Sequence, residues 1–207
     1  MISKFSLKFG RAPGLAAEQI EAAPVTVFVG PNNSGKSKVL SEIEQYCRSG
    51  QKNAGAVILE ELTFVGFGLD EAARSIERVK LSPEPNDNVN IGDLLVGTRG
   101  QRYHVNYQQL IESLQTPSLN PFIFCRCFLT FHTLLLDGTS RINLVQQQPG
   151  GDLQQRPHTS FQTLFHDDVK RHEVRRIVAD AFGSYFVLDP TFLGQLRIRL
   201  SERPPKQ

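Results

Sequence analysis

The sequence has no strong excess of charge of either sign and no apolar run long enough to cross a membrane. Its 23 lysine and arginine residues nearly balance its 21 aspartate and glutamate residues, which leaves a net charge of +2. This small charge excludes a general electrostatic attraction to nucleic acid or to anionic lipid, so any contact with nucleic acid would have to be local. The longest apolar run, 121–136, is shorter than a membrane-spanning helix and contains Arg126 and His132. We therefore predict no membrane span and interpret this run as a buried strand.

Cysteine is also scarce, and its pattern points away from the secretory pathway. The chain has three cysteines, Cys47, Cys125 and Cys127, and its N-terminus lacks the apolar core of a secretory signal. We therefore predict a cytoplasmic protein in a reducing compartment. Cys125 and Cys127 could form a pair of metal ligands. No second Cys or His pair follows at zinc spacing, however, which favours small core residues.

The periodicity of the chain predicts a mixture of strands and helices. The 207 residues, 40% of them hydrophobic and 21% charged, have a composition typical of one ordinary domain or two small ones. The predicted strands are 4–9, 25–29, 56–67, 122–136, 141–145, 185–188 and 192–200, and the predicted helices are 35–49, 70–80 and 167–182. Residues 101–114 fit either structure. Asp137-Gly138 is typical of a hairpin turn between two strands, and 146–158 is typical of a surface loop.

One motif carries recognisable chemistry. It consists of eight consecutive residues: Gly30, Pro31, Asn32, Asn33, Ser34, Gly35, Lys36 and Ser37. These residues match G-x-x-x-x-G-K-[ST], the P-loop of nucleotide-binding proteins. The motif requires a strand before it and a helix after it, and the predicted strand 25–29 and helix 35–49 supply both. The alternative, a glycine turn that binds nothing, is disfavoured by this context.

Each residue type in the motif has a physical reason. The glycines let the loop fold around a phosphate without Cβ atoms in the way, so that successive backbone N–H groups face the anion. The following helix directs its positive dipole end and its unpaired N–H groups at the same place. We expect Lys36 to reach the β- and γ-phosphates and the Ser37 hydroxyl to coordinate magnesium.

The form GPNNSGKS, with an antiparallel-looking strand at the N-terminus, resembles the ATP-binding-cassette class of P-loop ATPases. More narrowly, it is similar to AAA-type ATP-binding proteins related to RecF, the chromosome-maintenance heads and the overcoming-lysogenization-defect family. The stretches LLLDGTSRINLV and SYFVLDPTFLGQLRIRLS also look like the first lobe of such ATPases. The resemblance implies a head that binds ATP and Mg²⁺ and closes face to face on a second head.

The resemblance also implies a fold. We expect an α/β P-loop NTPase in which a parallel core sheet carries the loop and is joined by an antiparallel β portion. Residues 1–207 would form a single nucleotide-binding domain, the N-terminal lobe of a longer ATPase that is cut short or completed by another polypeptide.

Hydrolysis by a P-loop ATPase also needs an apolar strand that ends in Asp, usually followed by Glu. Two stretches come near this pattern: LLLDG, which ends at Asp137, and FVLDP, which ends at Asp189. Neither has an acidic residue next in line. Asp137 is better explained by the hairpin turn, so Asp189 is the better candidate for a catalytic carboxylate, and the catalytic residues are otherwise unassigned.

Other family features are weak in this sequence. PGGDLQQ, at 149–155, faintly resembles the cassette signature that opens a helix, but Pro157 would break such a helix. No residue stands out for the glutamine loop. Phe9 and Arg11 are candidates for contact with adenine.

Three functions remain open from the residues alone. The first is an ATP-binding module whose catalytic residues lie largely outside this chain. The second is a complete P-loop phosphotransferase that uses Asp189 or Asp137. The third is a nucleic-acid or partner-binding scaffold, in which the basic residues of helix 167–182 (Lys170, Arg171, Arg175 and Arg176) would contact the partner.

Overall fold

The computed structural model of the chain describes residues 1–10, 14–83, 85, 87–98, 101–152 and 157–205. Contacts divide the chain into two compact units, Met1–Leu135 and Leu136–Gln207. Both units mix helices with small sheets, so the prediction of a chain that combines α and β structure is confirmed. Every strand pair within the described ranges is antiparallel, and the parallel core sheet is not among them.

Among its described residues, the first unit contains two small sheets and four α-helices. Its strands are β1 (Ile2–Leu7), β2 (Glu18–Glu21), β3 (Leu59–Phe64), β4 (Asp93–Thr98) and β5 (Gln101–Asn106), and its helices are α1 (Lys36–Ser49), α2 (Leu69–Val79), α3 (Tyr107–Gln115) and α4 (Pro121–Cys127), followed by a 3-10 turn at Leu129–His132. Strand β1 lies between β2 and β3, with Phe5 opposite Ile20 and Leu62. Strands β4 and β5 form a separate hairpin.

The core of the first unit forms between the sheets and the helices. Its most deeply buried side chains include Leu59, Ile76, Leu110, Leu114 and Phe124, each less than 2% exposed. Burial of a large apolar side chain contributes about 1.5–3 kcal/mol, so this cluster dominates the stability of the unit. The predicted strands 4–9 and 56–67 and the predicted helices 35–49 and 70–80 are confirmed as β1, β3, α1 and α2.

The ambiguous stretch 101–114 contains both structures in succession. It begins as β5 and continues directly as α3. Asn106 separates the two, because its side chain accepts hydrogen bonds from the N–H groups of Gln108 and Gln109 and so caps the helix.

The predicted strand 122–136 is wrong, and so is the hairpin that Asp137-Gly138 was predicted to form between it and the strand 141–145. The apolar run instead forms α4 and the 3-10 turn. The Asn120 side chain caps α4 at the N–H of Ile123, and Pro121 occupies the first turn, where proline favours a helix. Asp137 likewise caps a helix, α5 (Gly138–Val145), by accepting from Ser140 N at 2.7 Å. Both errors arise because a short apolar run does not distinguish a buried strand from a buried helix.

The predicted strand 25–29 is not a strand in the structure. Its side chains alternate as in a strand, because Thr26 and Phe28 line an apolar groove while Val25, Val27 and Val29 are 79%, 72% and 86% exposed. Phe28 packs on Phe5 with 5.7 Å between ring centroids. Strand structure requires a hydrogen-bonded neighbour, and none of the described strands of the first unit pairs with this segment.

The second unit is smaller. After α5 it contains β6 (Gln148–Pro149), α6 (Ser160–His166), α7 (Asp168–Phe182), β7 (Tyr185–Phe192) and β8 (Gln195–Ser201). Strand β8 lies between β6 and β7, and Phe161, Phe186, Leu188 and Leu196 form a small buried cluster. The predicted helix 167–182 is confirmed, with Asp167 as its N-cap and Gly183 as its C-cap. The two predicted C-terminal strands are confirmed as β7 and β8, but β7 continues through residues 189–191.

The three cysteines are small core residues, as the sequence predicts. Cys47, Cys125 and Cys127 are all buried and unbridged. Burial raises the pKa of the Cys47 and Cys125 thiols to about 12 and that of Cys127 to about 11, so none of the three is poised to act as a thiolate. Within the described part of the chain, no helix combines the length and the apolar character needed to span a membrane.

Candidate functional site

The eight residues of the motif form a tight loop directly before α1. Asn33 and Gly35 have left-handed backbone conformations, with φ angles of 65° and 87°. Ser34 N donates to Pro31 O at 3.3 Å, which closes a turn within the loop. At the start of the loop, a Cβ on Gly30 would lie 2.8 Å from Ser34 Oγ. The sequence therefore folds locally into a curved loop in which Gly30 lies against the Ser34 side chain and Gly35 adopts a backbone conformation that favours glycine.

Lys36 folds back across this loop. Its ammonium group donates to Gly30 O at 2.8 Å and to Pro31 O at 2.6 Å, and it lies 3.3 Å from Ser34 Oγ. These acceptors are uncharged, and the contacts are exposed to solvent. The lysine is thus held inside the loop by weak partners that a phosphate group could replace.

The loop leads into an uncapped helix end. Gly35 occupies the N-cap position of α1, no side chain caps the helix, and its first turn contains no acidic residue. The first N–H groups of α1 are therefore free to bind an anion, and the helix dipole favours negative charge there. Ser37 is exposed beside them. An open cavity of about 660 Å³ is lined by residues 32–38, which include all of the predicted binding residues except Gly30 and Pro31.

Two further residues of the first unit lie next to the loop or bind the segment that touches it, and neither stands out in the sequence. Ile58, just before β3, packs against the loop, because a Cβ on Gly35 would lie 2.6 Å from Ile58 Cδ1. Glu42 on α1 is buried and binds the backbone N–H groups of residues 57–59. The sequence does contain one sign that Glu42 is unusual: it interrupts the apolar stripe that Val39, Ile43 and Cys47 form on α1.

Asp189, the candidate catalytic carboxylate, lies buried in β7 of the second unit. Its Oδ1 accepts from Thr191 N at 2.9 Å and from Thr191 Oγ1 at 2.5 Å. Its Oδ2 lies 2.8 Å from Arg197 Nε and 2.6 Å from Arg199 Nε. Both carboxylate oxygens bind groups of the β7–β8 hairpin. These contacts give Asp189 a structural role within that hairpin.

The contacts of Asp189 predict an acid-sensitive second unit. Hydrogen bonds from Thr191, then from Arg197, hold the pKa of Asp189 at about 2, below its ordinary value of 3.8. Because the folded-state pKa is the lower one, the stabilisation is fully present above the ordinary value and is lost as pH falls through the folded value. We expect the melting temperature, followed by circular dichroism, to fall with pH between about 4 and 2.

Asp189→Asn should remove most of this pH dependence and lower the melting temperature at neutral pH, because it leaves two guanidinium groups without their carboxylate. Asp180→Asn, which removes an exposed ion pair with Arg176 in the same unit, is the control and should retain the acid-dependent loss. An Asp189→Asn protein with unchanged stability would refute the structural role.

The other candidate residues are dispersed. Asp137 caps α5, and its hydrogen bond with Ser140 N lowers its pKa. Phe9 is exposed after β1, and Arg11 lies outside the described residues. Of 149–155, Pro149 belongs to β6, residues 150–152 are not helical, and 153–155 lie outside the described residues. The structure thus provides no further support for these assignments.

The basic residues of α7 have partners within the second unit. Lys170 and Arg176 form ion pairs with Asp167 and Asp180, at 3.0 and 3.5 Å. Arg171 pairs with Asp168 and donates to the carbonyls of Leu164 and Phe165, and Arg175 donates to Phe186 O at 3.2 Å. These contacts are typical of a solvated helix face and favour no nucleic-acid surface.

The function of the site is identified neither by metal ligands among the described residues nor by the comparisons with known proteins. Within the ranges that the structure describes, no group of three or more His, Cys, Asp or Glu residues is arranged to hold a metal ion. Comparisons with family models, curated proteins and solved structures give no match for this chain.

Proposed function

We propose that this chain is the ATP-binding module of a cassette-type ATPase and binds Mg-ATP through residues 30–37. The observation that carries the proposal is the loop itself: residues 32–38 line an open cavity, no side chain caps the N-terminus of α1, and the Lys36 ammonium lies on carbonyls of the loop. Each of these features favours a phosphate group.

Binding requires little rearrangement in this proposal. The Lys36 ammonium exchanges its contacts with Gly30 O and Pro31 O for phosphate oxygens, which are charged and therefore stronger acceptors. The N–H groups at the start of α1 bind the same oxygens. Ser37 would hold the magnesium ion, whose role is to neutralise the charge on the β- and γ-phosphates.

Titration calorimetry of the chain with Mg-ATP, run beside a phosphate-release assay, tests the proposal. We expect binding with one nucleotide per chain and little release of phosphate, because Asp189 is held by arginines and no other carboxylate is assigned to catalysis. Absence of binding would refute the proposal. Steady release would instead show that the catalytic carboxylate lies within this chain and would favour the phosphotransferase alternative.

The segment 25–29 supports the expectation that a core sheet is completed by another segment of polypeptide. It precedes the loop and is rich in β-branched residues. Its side chains alternate: Thr26 and Phe28 line the apolar groove, and Val25, Val27 and Val29 are exposed. An exposed, apolar, unpaired segment of this kind is a template for strand pairing. We propose that it becomes the P-loop strand of a parallel core sheet when a C-terminal lobe, or a partner polypeptide, lies beside it.

Exposure of these valines predicts self-association of the isolated chain. Val27→Lys should reduce it, because a charge on an exposed strand edge opposes pairing. Light scattering coupled to gel filtration over a concentration series measures the effect. Val169→Lys, at an 80% exposed position on α7, is the matched control and should leave self-association unchanged. Equal effects of the two substitutions would mean that added charge alone is responsible.

A further inference from the structure

The carboxylate of Glu42 binds three consecutive backbone N–H groups. Its Oε1 accepts from Val57 N at 2.9 Å, and its Oε2 accepts from Ile58 N at 3.0 Å and from Leu59 N at 2.8 Å. The residue is only 3% exposed, and Lys38 Nζ lies 3.7 Å from Oε1. A buried carboxylate with this many donors is strongly fixed in position.

The charge state of Glu42 is consistent with this arrangement. Burial raises the pKa of the carboxyl, but the N–H groups of residues 57–59 and the nearby Lys38 ammonium outweigh burial, so the pKa lies below its ordinary value. Glu42 is therefore ionised at neutral pH and acts only as an acceptor.

The segment that Glu42 holds is the one that touches the loop. Ile58 lies in the middle of the three bound residues, and its Cδ1 occupies the space next to Gly35. Its carbonyl oxygen accepts from Lys8 N at 2.8 Å, which ties the same residue to the end of β1. A continuous series of contacts thus runs from Glu42 through Ile58 to Gly35.

We propose that Glu42 is a positioning residue for the phosphate loop, which it holds in its binding conformation by fixing Ile58 against Gly35. The proposal rests on the proposed function, because it assumes that the loop binds nucleotide. It goes beyond the motif, since Glu42 touches no phosphate and lies outside residues 30–37. The neighbouring contacts explain why a charged residue occupies the apolar side of α1.

Glu42→Gln is the direct test, because the amide has nearly the shape of the carboxylate but places an NH₂ group against backbone N–H donors. We expect the Kd for Mg-ATP to rise about 10-fold, since a small displacement of a binding loop has a large effect on affinity. Glu60→Gln, on β3 with an exposed partner in Lys52, is the matched control and should leave the Kd unchanged. Titrations are made well below the melting temperature of each variant, so that a purely structural loss of stability does not alter the measured affinity.

Ile58→Val provides the second variant, because it removes only the Cδ1 atom that contacts Gly35. It should also weaken Mg-ATP binding, and the double variant Glu42→Gln with Ile58→Val should bind no more weakly than Glu42→Gln alone, since both act by one route. Additive effects, or an unchanged Kd in Ile58→Val, would overturn the proposal. If Glu42→Gln does not fold, the Kd of Ile58→Val alone still decides whether the proposal holds.

Hydrogen exchange without nucleotide separates failure of this inference from failure of the proposed function. Exchange at the start of α1, where Val39 N donates to Gly35 O at 2.9 Å, should be faster in Glu42→Gln than in wild type and unchanged in Glu60→Gln. Unchanged exchange in Glu42→Gln overturns the positioning role whether or not ATP binds. If the wild-type chain binds no ATP and exchange is still faster in Glu42→Gln, the positioning role is supported and the proposed nucleotide binding is rejected.

Discussion

Under the proposed function, Lys36→Ala is expected to weaken Mg-ATP binding by about 100-fold, the largest effect on ligand affinity expected for one residue. A hydrogen bond between charged groups contributes about 1.5–3 kcal/mol, and we expect Lys36 to contact both the β- and the γ-phosphate. A loss of about 3 kcal/mol corresponds to this change in Kd. Isothermal titration calorimetry at constant ionic strength measures it.

The substitution should leave the fold intact, because Lys36 is partly exposed and its contacts are with carbonyls of its own loop. Lys52→Ala is the matched control, since it removes another lysine of the first unit whose partner, Glu60, lies away from the loop. Its Kd should equal that of wild type. Equal affinities of wild type and Lys36→Ala would show that residues 30–37 do not bind the triphosphate.

Sequence reasoning identified the elements whose ends carry local signals. Helix α1 begins at the loop and ends where Gly50 adopts a left-handed conformation, and α7 lies between the cap Asp167 and Gly183. These boundaries depend on hydrogen bonds within a few residues, so the sequence predicts them well. The helix α4 was missed because its seven residues include one charged residue, Arg126, and so show no polar periodicity; its local signals are the cap Asn120 and Pro121 in the first turn.

Sequence reasoning failed where structure depends on distant neighbours. Residues 25–29 have the composition of a core strand, but a strand exists only beside another strand, and a partner is not encoded in the segment itself. The contact of Glu42 with residues 57–59 also joins positions far apart in the chain. The motif at residues 30–37 could be recognised because its eight residues are consecutive, whereas the contacts of Glu42 and Ile58 required the structure.

Gly50→Ala is expected to give the largest loss of stability among the substitutions considered. Gly50 ends α1 with a φ angle of 68°, and a Cβ there would lie 2.3 Å from Pro121 O and 2.6 Å from Phe122 Cα. These atoms belong to the backbone of α4, so they cannot move aside as a side chain can. Left-handed strain together with overpacking should reduce the free energy of unfolding by about 2–4 kcal/mol.

Gly92→Ala separates the two causes, because Gly92 also has a left-handed conformation, with a φ of 88°, but a Cβ there would meet only Asn106 Nδ2 at 3.5 Å. It lies in the same unit and should cost only the backbone strain, about 1 kcal/mol. Urea unfolding of both variants measures the difference. A larger loss for Gly50→Ala would show that close packing of α4 on the end of α1 holds the phosphate-loop helix in place. Equal losses would show that the α4 backbone moves away readily, and the helix that carries Lys36 and Glu42 would then be anchored mainly by its contacts with residues 57–59.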